Sequence, residues 1–456
     1  MRWLIVLALL VIAGALVLRW KRPDWYWRTF GVAFAVLKLV TRYRPTMEAC
    51  GLTVQPPAWK LEVAKIMHRP PSPPKAPRIL RLRPTRAGLV LRLRLRPGQC
   101  LADFQTAADP LRHALQVYSV GSRELRPGVV EVKMAGYDVL ERVRLPRVVD
   151  DRLLRVPVAM RDDGSVHYRD FRQTPHELNV GATESGKSTF QRQLITELAK
   201  QPVALVGIDC KKGVELGPLA RRLSGFAVDQ DSAAALLDAL VCRMTAIYDV
   251  IRREQRISAD IPDEEITSDI WGLPEHLRPV PVVVFIDEIA ELLLVTKDGR
   301  ERRLRTITAL IRLVQLGRAA GIYVEACGQR FGADLGDGVT LLRAQLTGRV
   351  SHRVNEQSTA EMTFGDIAED ALIAVQIIPN DRKGVAIAGT ASGEWAKIRA
   401  PYTTIRQAAN VCNAHAHLTP DLPELEAFRP ALQPPVRLVK PRDVRLGREH
   451  NHEPVA

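Results

Sequence analysis

The eight residues GATESGKS, 181–188, carry the spacing G-x-x-x-x-G-K-[ST] through Gly181, Gly186, Lys187 and Ser188. That spacing suits a loop that curls round phosphate. Its glycines free the backbone, so that the N–H groups from Gly181 through Ala182, Thr183, Glu184, Ser185 and Gly186 to Thr189 can face a bound anion. Lys187 is then expected to reach the β- and γ-phosphates of a nucleoside triphosphate, and the Ser188 hydroxyl to ligate Mg2+. Further along, RPVPVVVFIDEIAELL (278–293) runs through an unbroken apolar stretch into Asp287-Glu288. An acid at the carboxyl end of a buried parallel strand lies where open α/β sheets bind ligands. Asp287 suits a water-mediated hold on Mg2+, and Glu288 the polarising of an attacking water. A third stretch, GIYVEACGQ (321–329), sets Gln329 at the end of another such strand, suited to sensing the γ-phosphate.

These residues need a sheet to bring them together, and the surrounding sequence supplies one. VHYRDF (166–171) reads as a strand ahead of the loop, STFQRQLITELAK (188–200) as the helix directly after it, and VALVGID (203–209) as a further strand. Apolar helical runs such as AAALLDALVCRMTAIYDVIRR (233–253) would cover the sheet faces. The expected fold is α/β, a RecA-like P-loop motor domain over 151–408.

Upstream, residues 3–18, WLIVLALLVIAGALVL, carry no charge and lead into Arg19, Lys21 and Arg22. As a helix, 3–20 would cover about 27 Å at 1.5 Å per residue, enough for a thin hydrocarbon core with Trp3 and Trp20 at its edges. Residues 1–45 are therefore read as a single-pass cell-membrane anchor, with everything after Arg19 in the cytoplasm. The segment 25–43 fits either a second span or a helix lying in the interface with its Trp and Tyr rings at headgroup depth. A Pro-rich spacer, 46–79, then precedes a small β-α-β-β domain at 80–150. In that domain GLVLRLRLRPG (88–98) alternates with period two. Its Arg92, Arg94 and Arg96 fit a DNA contact and a plain solvated face equally well. The end of the chain, 409–456, is rich in Pro and Arg and reads as a basic, disordered tail.

With 65 Lys+Arg against 51 Asp+Glu the formal charge is +14, and most of the cations are arginine. This favours a polyanionic partner, nucleic acid or an anionic lipid surface. Six cysteines without a C-x-x-C pair argue against a disulfide framework.

The segments PHELNVGATESGKS (175–188), GIDCKKGVEL (207–216), VVVFIDEIAEL (282–292), GRAAGIYVEACGQR (317–330) and LTGRVSHRV (346–354) resemble the FtsK/SpoIIIE family of membrane-anchored DNA translocases. Within it the chain is most similar to the transfer proteins of actinobacterial conjugative plasmids and integrative elements, over about 150–405. The resemblance implies a homo-oligomer, a hexameric ring with ATP sites between subunits and double-stranded DNA in its pore. It also implies that Arg318 is an arginine finger for a neighbour's γ-phosphate. Two departures stand out. Gln357 occupies the place of the family's second basic finger, with Arg353 nearby but out of register, and Glu184 stands where the family usually has glycine. A glutamate is expected to fit there with a negative φ and its side chain turned outward. Two other roles compete with conjugative transfer: chromosome segregation at division, and a type VII-like ATPase that moves proteins.

Overall fold

The computed structural model describes residues 2–431 except 69, 71, 86, 147–151, 259–266, 296–298, 366–368 and 391–392; the side chains of 2, 4–12, 60 and 61 are also outside it. Two sheets organise the described residues.

The first is antiparallel and four-stranded, built from β1 (Arg78–Pro84), β2 (Gly88–Arg94), β3 (Ser119–Arg126) and β4 (Val129–Ala135) in the order β1-β2-β4-β3. Two short helices, Leu101–Thr106 and Ala108–Leu115, join its halves. The module is therefore β-β-α-α-β-β and not the β-α-β-β expected. Its first strand begins two residues before the end of what reads as a Pro-rich spacer, and that spacer also holds a helix, Ala58–Ile66. The alternation in β2 works as period two requires. Leu89, Leu91 and Leu93 enter a core with Phe104, Leu111, Val130, Val132 and Met134. On the other face Arg92 and Arg123 both bond Glu131 (3.1 and 2.7 Å). Arg96 donates to the Ala76 carbonyl (2.9 Å).

The same core takes in Trp27, Leu39, Met47 and Leu52 from the chain before it. Residues 23–49 form a short helix, a π-turn at Trp27–Gly31 and the helix Val32–Ala49. The Trp27 ring lies over Gly136, where an added Cβ would fall 2.0 Å from it. One face of this segment is thus docked on protein. Its other face leaves Trp25, Phe30, Phe34, Leu37 and Val40 exposed. The uncharged run 3–18 falls in a helix, Arg2–Lys21, but most of its side chains lie outside the described residues. Among the described residues no helix is long and apolar enough to cross a membrane.

The second sheet has ten strands: β5 (Arg155–Arg161), β6 (Val166–Asp170), β7 (His176–Val180), β8 (Ala204–Ile208), β9 (Leu223–Ala227), β10 (Val282–Ile286), β11 (Ile322–Gly328), β12 (Gly348–His352), β13 (Val385–Thr390) and β14 (Trp395–Arg399). Their order is β6-β5-β14-β13-β12-β7-β11-β10-β8-β9, parallel from β12 to β9 and antiparallel on the other flank. The strand that feeds the phosphate loop is β7, not 166–171, which forms the sheet's far edge as β6. In β10 the burial alternates between two cores. Val282, Val284 and Ile286 face the helices Gln230–Glu254 and Arg300–Leu316, while Val283 and Phe285 face Lys187–Leu198 and Ile405–Ala414. The first of these helices opens with a capping box, Asp229 accepting from the Ser232 N–H.

Part of the expected tail belongs to this domain. The helix Ile405–Ala414 buries Ala408 and Cys412, and Leu422 and Leu425 are also in the core. Residues 432–456 lie outside the described residues.

Candidate nucleotide site

Strand β11 lies between β7 and β10, so the loop after β7, the acids after β10 and Gln329 after β11 all emerge at one end of three adjacent parallel strands. The loop is fixed by its own backbone. The Gly181 N–H bonds Gly328 O (3.2 Å), the Ala182 N–H bonds Arg353 O (2.9 Å), and Ser185 O accepts from the Gly384 N–H (2.7 Å). Gly186 has φ +115°, and a Cβ there would lie 2.4 Å from Gly384 Cα. No other residue fits that position without moving the neighbouring turn. The helix Lys187–Leu198 begins directly after it, so its free N–H groups and dipole face the cleft.

Within the cleft the charges close on one another. Lys187 Nζ lies 3.1 Å from Glu288 Oε2, and the Gln329 N–H donates to Glu288 Oε1 (3.0 Å). Asp287, nearly inaccessible, pairs with Lys211 Nζ at 2.9 Å. Burial pulls the Lys211 ammonium down in pKa, but the bond to Asp287 and the charge of Glu288 outweigh it and raise the value. Lys211 sits on a loop held by Asp209, whose carboxylate accepts from the N–H groups of Lys211, Glu215 and Leu216 (3.1, 2.8 and 3.1 Å). Thr183 Oγ1 reaches Gln329 Oε1 at 3.4 Å. All of the expected phosphate-loop residues, both acids and Gln329 therefore share one locality.

Lys211 carries no role in the sequence reading, although it follows the carboxyl end of β8, where a ligand-facing residue belongs. The cleft itself measures about 770 Å³, within the range for small-molecule sites. A hydroxyl (Ser188) and a buried carboxylate (Asp287) are hard oxygen donors of the kind Mg2+ takes while keeping several waters. Asp287 being paired with an ammonium already marks it as a carboxylate that needs a cation.

Glu184 departs from expectation. Its φ is +61°, the left-handed region that suits glycine, where a negative value was expected. Its side chain does turn outward, and pairs with Lys383 Nζ at 2.5 Å; that bond lowers the carboxyl's pKa. The left-handed conformation costs a glutamate roughly 1 kcal/mol more than a glycine. Glu184→Gly is accordingly expected to bind ATP as tightly as wild type, or up to about fivefold tighter, by calorimetric titration. A loss beyond about tenfold would mean that the carboxylate itself is needed.

Arg318 lies elsewhere. It borders a separate groove with Arg172, Trp271 and Tyr323, before the amino end of β11. Seven residues of strand, about 20 Å, separate that end from Gln329. Gln357 bonds Glu361 Oε1 (2.8 Å) one turn along its own helix, and Arg353 bonds Asn355 Oδ1 (2.7 Å).

A phosphate loop on β7, an acid pair on the strand two places away and a polar residue, Gln329, on the strand between them are the arrangement of a P-loop ATPase. The FtsK/SpoIIIE family profile matches residues 139–333, and that of the actinomycete conjugal transfer protein N-terminal domain matches 14–136. A transfer protein, TraSA of Streptomyces ambofaciens, is 60% identical over 399 residues, 87% of this chain and 96% of that protein. The chain belongs to the FtsK/SpoIIIE family, and is an ATPase. DNA translocase FtsK of Caldanaerobacter subterraneus is 28% identical over 290 residues, 60% of this chain but 38% of its own length. Among solved structures, the pCW3 conjugation coupling protein TcpA, in a monomer form with ATPγS, shares the fold. Its TM-score is 0.53 at 19% identity, over 75% of this chain and 94% of that one.

Proposed function

We propose that the chain is an ATP-driven translocase of double-stranded DNA that works in conjugative transfer. The observation that carries this reading is the 60% identity to a transfer protein along 96% of its length, joined to a cleft that gathers the phosphate loop, Asp287, Glu288 and Gln329. The segregation reading is weaker, because the FtsK match extends over a smaller share of both chains.

In the mechanism Lys187 leaves Glu288 for the phosphates when nucleotide enters, which frees the Glu288 carboxylate to orient and deprotonate the attacking water. The Gln329 N–H keeps one Glu288 oxygen in place, so the carboxylate pivots about a fixed point. Lys211 holds the Asp287 carboxylate in place at the edge of the cleft. Ser188, and Asp287 through water, would hold Mg2+, which would supply positive charge to offset that of the phosphates. Arg318 is too far from its own loop to serve it, and acts on the γ-phosphate of a neighbouring subunit in a ring. The uncharged run 3–18, with the exposed aromatic face of 25–40 beside it, holds the ring at the membrane.

Duplex DNA should raise ATP turnover by about tenfold or more, measured by phosphate release on the full chain. Contacts to six or more phosphates would weaken DNA binding by about 10³-fold or more between 50 and 200 mM salt. Turnover indifferent to DNA would overturn the translocase reading and favour a protein substrate.

A further inference from the structure

The open end of the nucleotide cleft has a structure of its own. Beyond the phosphate loop its wall is made by Tyr402 and Arg399 of the motor domain and, facing them, by 141–143, the chain that leaves the small N-terminal module. Tyr402 is largely exposed, at 78%, yet the backbone beside it is rigid. Thr403 O accepts from Arg192 Nε (3.2 Å), and the Thr403 hydroxyl donates to Gln193 Oε1 (2.7 Å), both on the helix that starts at Lys187. Thr404 then caps the next helix, its hydroxyl accepting from the Gln407 N–H (3.2 Å). The backbone that carries Tyr402 is thus fixed beside the first turns of the phosphate-loop helix, and its exposed side chain borders the cleft.

The opposite wall is pinned as firmly. Arg399 Nη1 donates to the carbonyls of Leu140 (2.7 Å) and Glu141 (3.1 Å). The Leu140 N–H bonds Asp138 Oδ1 (3.0 Å), and Asp138 is ion-paired with Arg382. Arg382 also donates to the Tyr118 hydroxyl at 3.2 Å, from a turn whose next residues are Lys383, on Glu184, and Gly384, on the Ser185 carbonyl.

We infer that this end of the cleft is a nucleobase site, in which Tyr402 stacks on the base of the bound nucleotide and 141–143 closes over its other side. The inference rests on the reading of the phosphate loop as an ATP site and adds to it. A nucleoside triphosphate with its phosphates on Lys187 runs outward past Thr189 and Arg192, and the surface it meets there is the Tyr402 ring. An aromatic face is sequence-tolerant toward bases and supplies apolar contact where the phosphate loop supplies none. Because the facing wall belongs to the N-terminal module, a bound nucleotide ties that module to the motor.

The test compares ATP with inorganic tripolyphosphate, which has the phosphates without the base, on full-length wild type, Tyr402→Ala and Tyr402→Phe. Tyr402→Ala is expected to weaken ATP binding about tenfold or more, as loss of one base–aromatic stack does. Tripolyphosphate affinity should stay within about twofold, and Tyr402→Phe should bind ATP as wild type does. In the wild type, ATP but not tripolyphosphate should slow tryptic cleavage after the exposed Arg142. Unchanged ATP affinity in Tyr402→Ala, or equal loss of both ligands, overturns the inference while leaving the ATP site standing. A wild type that binds neither ligand overturns the ATP site and this inference with it.

Discussion

Glu288→Gln should bind ATP and fail to hydrolyse it. General acid–base catalysis contributes about 10²–10⁴-fold, and the amide keeps the shape of the side chain while removing its basicity. The Gln329 N–H would still find an oxygen, so the strand ends should stay in register. Lys187 would lose its carboxylate partner at 3.1 Å and become a readier ligand for phosphate. Turnover by phosphate release should therefore fall by at least about a hundredfold, while ATP affinity by titration holds or rises. Lys187→Ala is the contrasting case, in which binding and turnover fall together and Glu288 keeps only the more distant Lys211, at 4.0 Å. Hydrolysis by Glu288→Gln at near wild-type rates would remove Glu288 from the chemistry and turn attention to the other groups of the cleft.

The second large effect is on stability. Arg169 on β6 is fully buried and reaches across the sheet to two carboxylates, Glu325 on β11 (Nη2 at 2.5 Å) and Glu177 on β7 (Nε at 3.5 Å). Glu177 and Glu325 are register partners on adjacent strands. Arg169→Met would leave two facing acids in the interior, and breaking a buried pair from one side costs about 3–5 kcal/mol. By calorimetry the motor-domain transition should drop by roughly 10 °C. One cation beside two acids leaves a proton in the cluster. Burial raises Glu325 to about 8 against the pull of Arg169, and the neighbouring Glu177 adds to the rise. Since the folded value lies above the unfolded one, the native chain holds a proton that the unfolded chain has released. The associated stability is complete below the ordinary carboxylate range and is lost as pH rises through about 8. Glu325→Gln, which mimics the protonated form, should flatten that loss. A melting temperature unmoved by Arg169→Met, or an unchanged pH slope in Glu325→Gln, would show that the cluster carries no such burden.

The site's chemistry was legible wherever it was written in consecutive residues. GATESGKS and the apolar run into Asp287-Glu288 announce a loop and a buried strand by local spacing alone. Strand β7 is harder to see, because HELNV mixes His, Glu and Asn into five buried positions. The partners of Glu177 and His176, Arg169 and the Val324 N–H, belong to other strands, so what these polar residues do there is seen only when the sheet is assembled. Strand β1 fails for the opposite reason. Its residues are mostly exposed, and nothing in RILRLRP distinguishes a solvated edge from the spacer before it. Cys412 with His415 and His417 lacks a fourth metal ligand in sequence, and Cys412 is a core residue, its thiol pushed up to about 11 by burial. Lys211, Lys383 and Tyr402 are remote from the loop in sequence, and only folding makes them its neighbours.

The separation of Arg318 from the phosphate loop along β11 gives each molecule a front and a back. If Arg318 serves a neighbour's phosphates, the loop and the arginine of one site come from two copies, joined either about a two-fold axis, where each arginine meets the other copy's loop, or head to tail. Head-to-tail joining ends either in a closed ring or in an open helix. A ring built this way also points every nucleotide site the same way around its circumference. The sense of rotation in which subunits can hand hydrolysis to one another would then be set by the placement of an arginine at one end of a single strand.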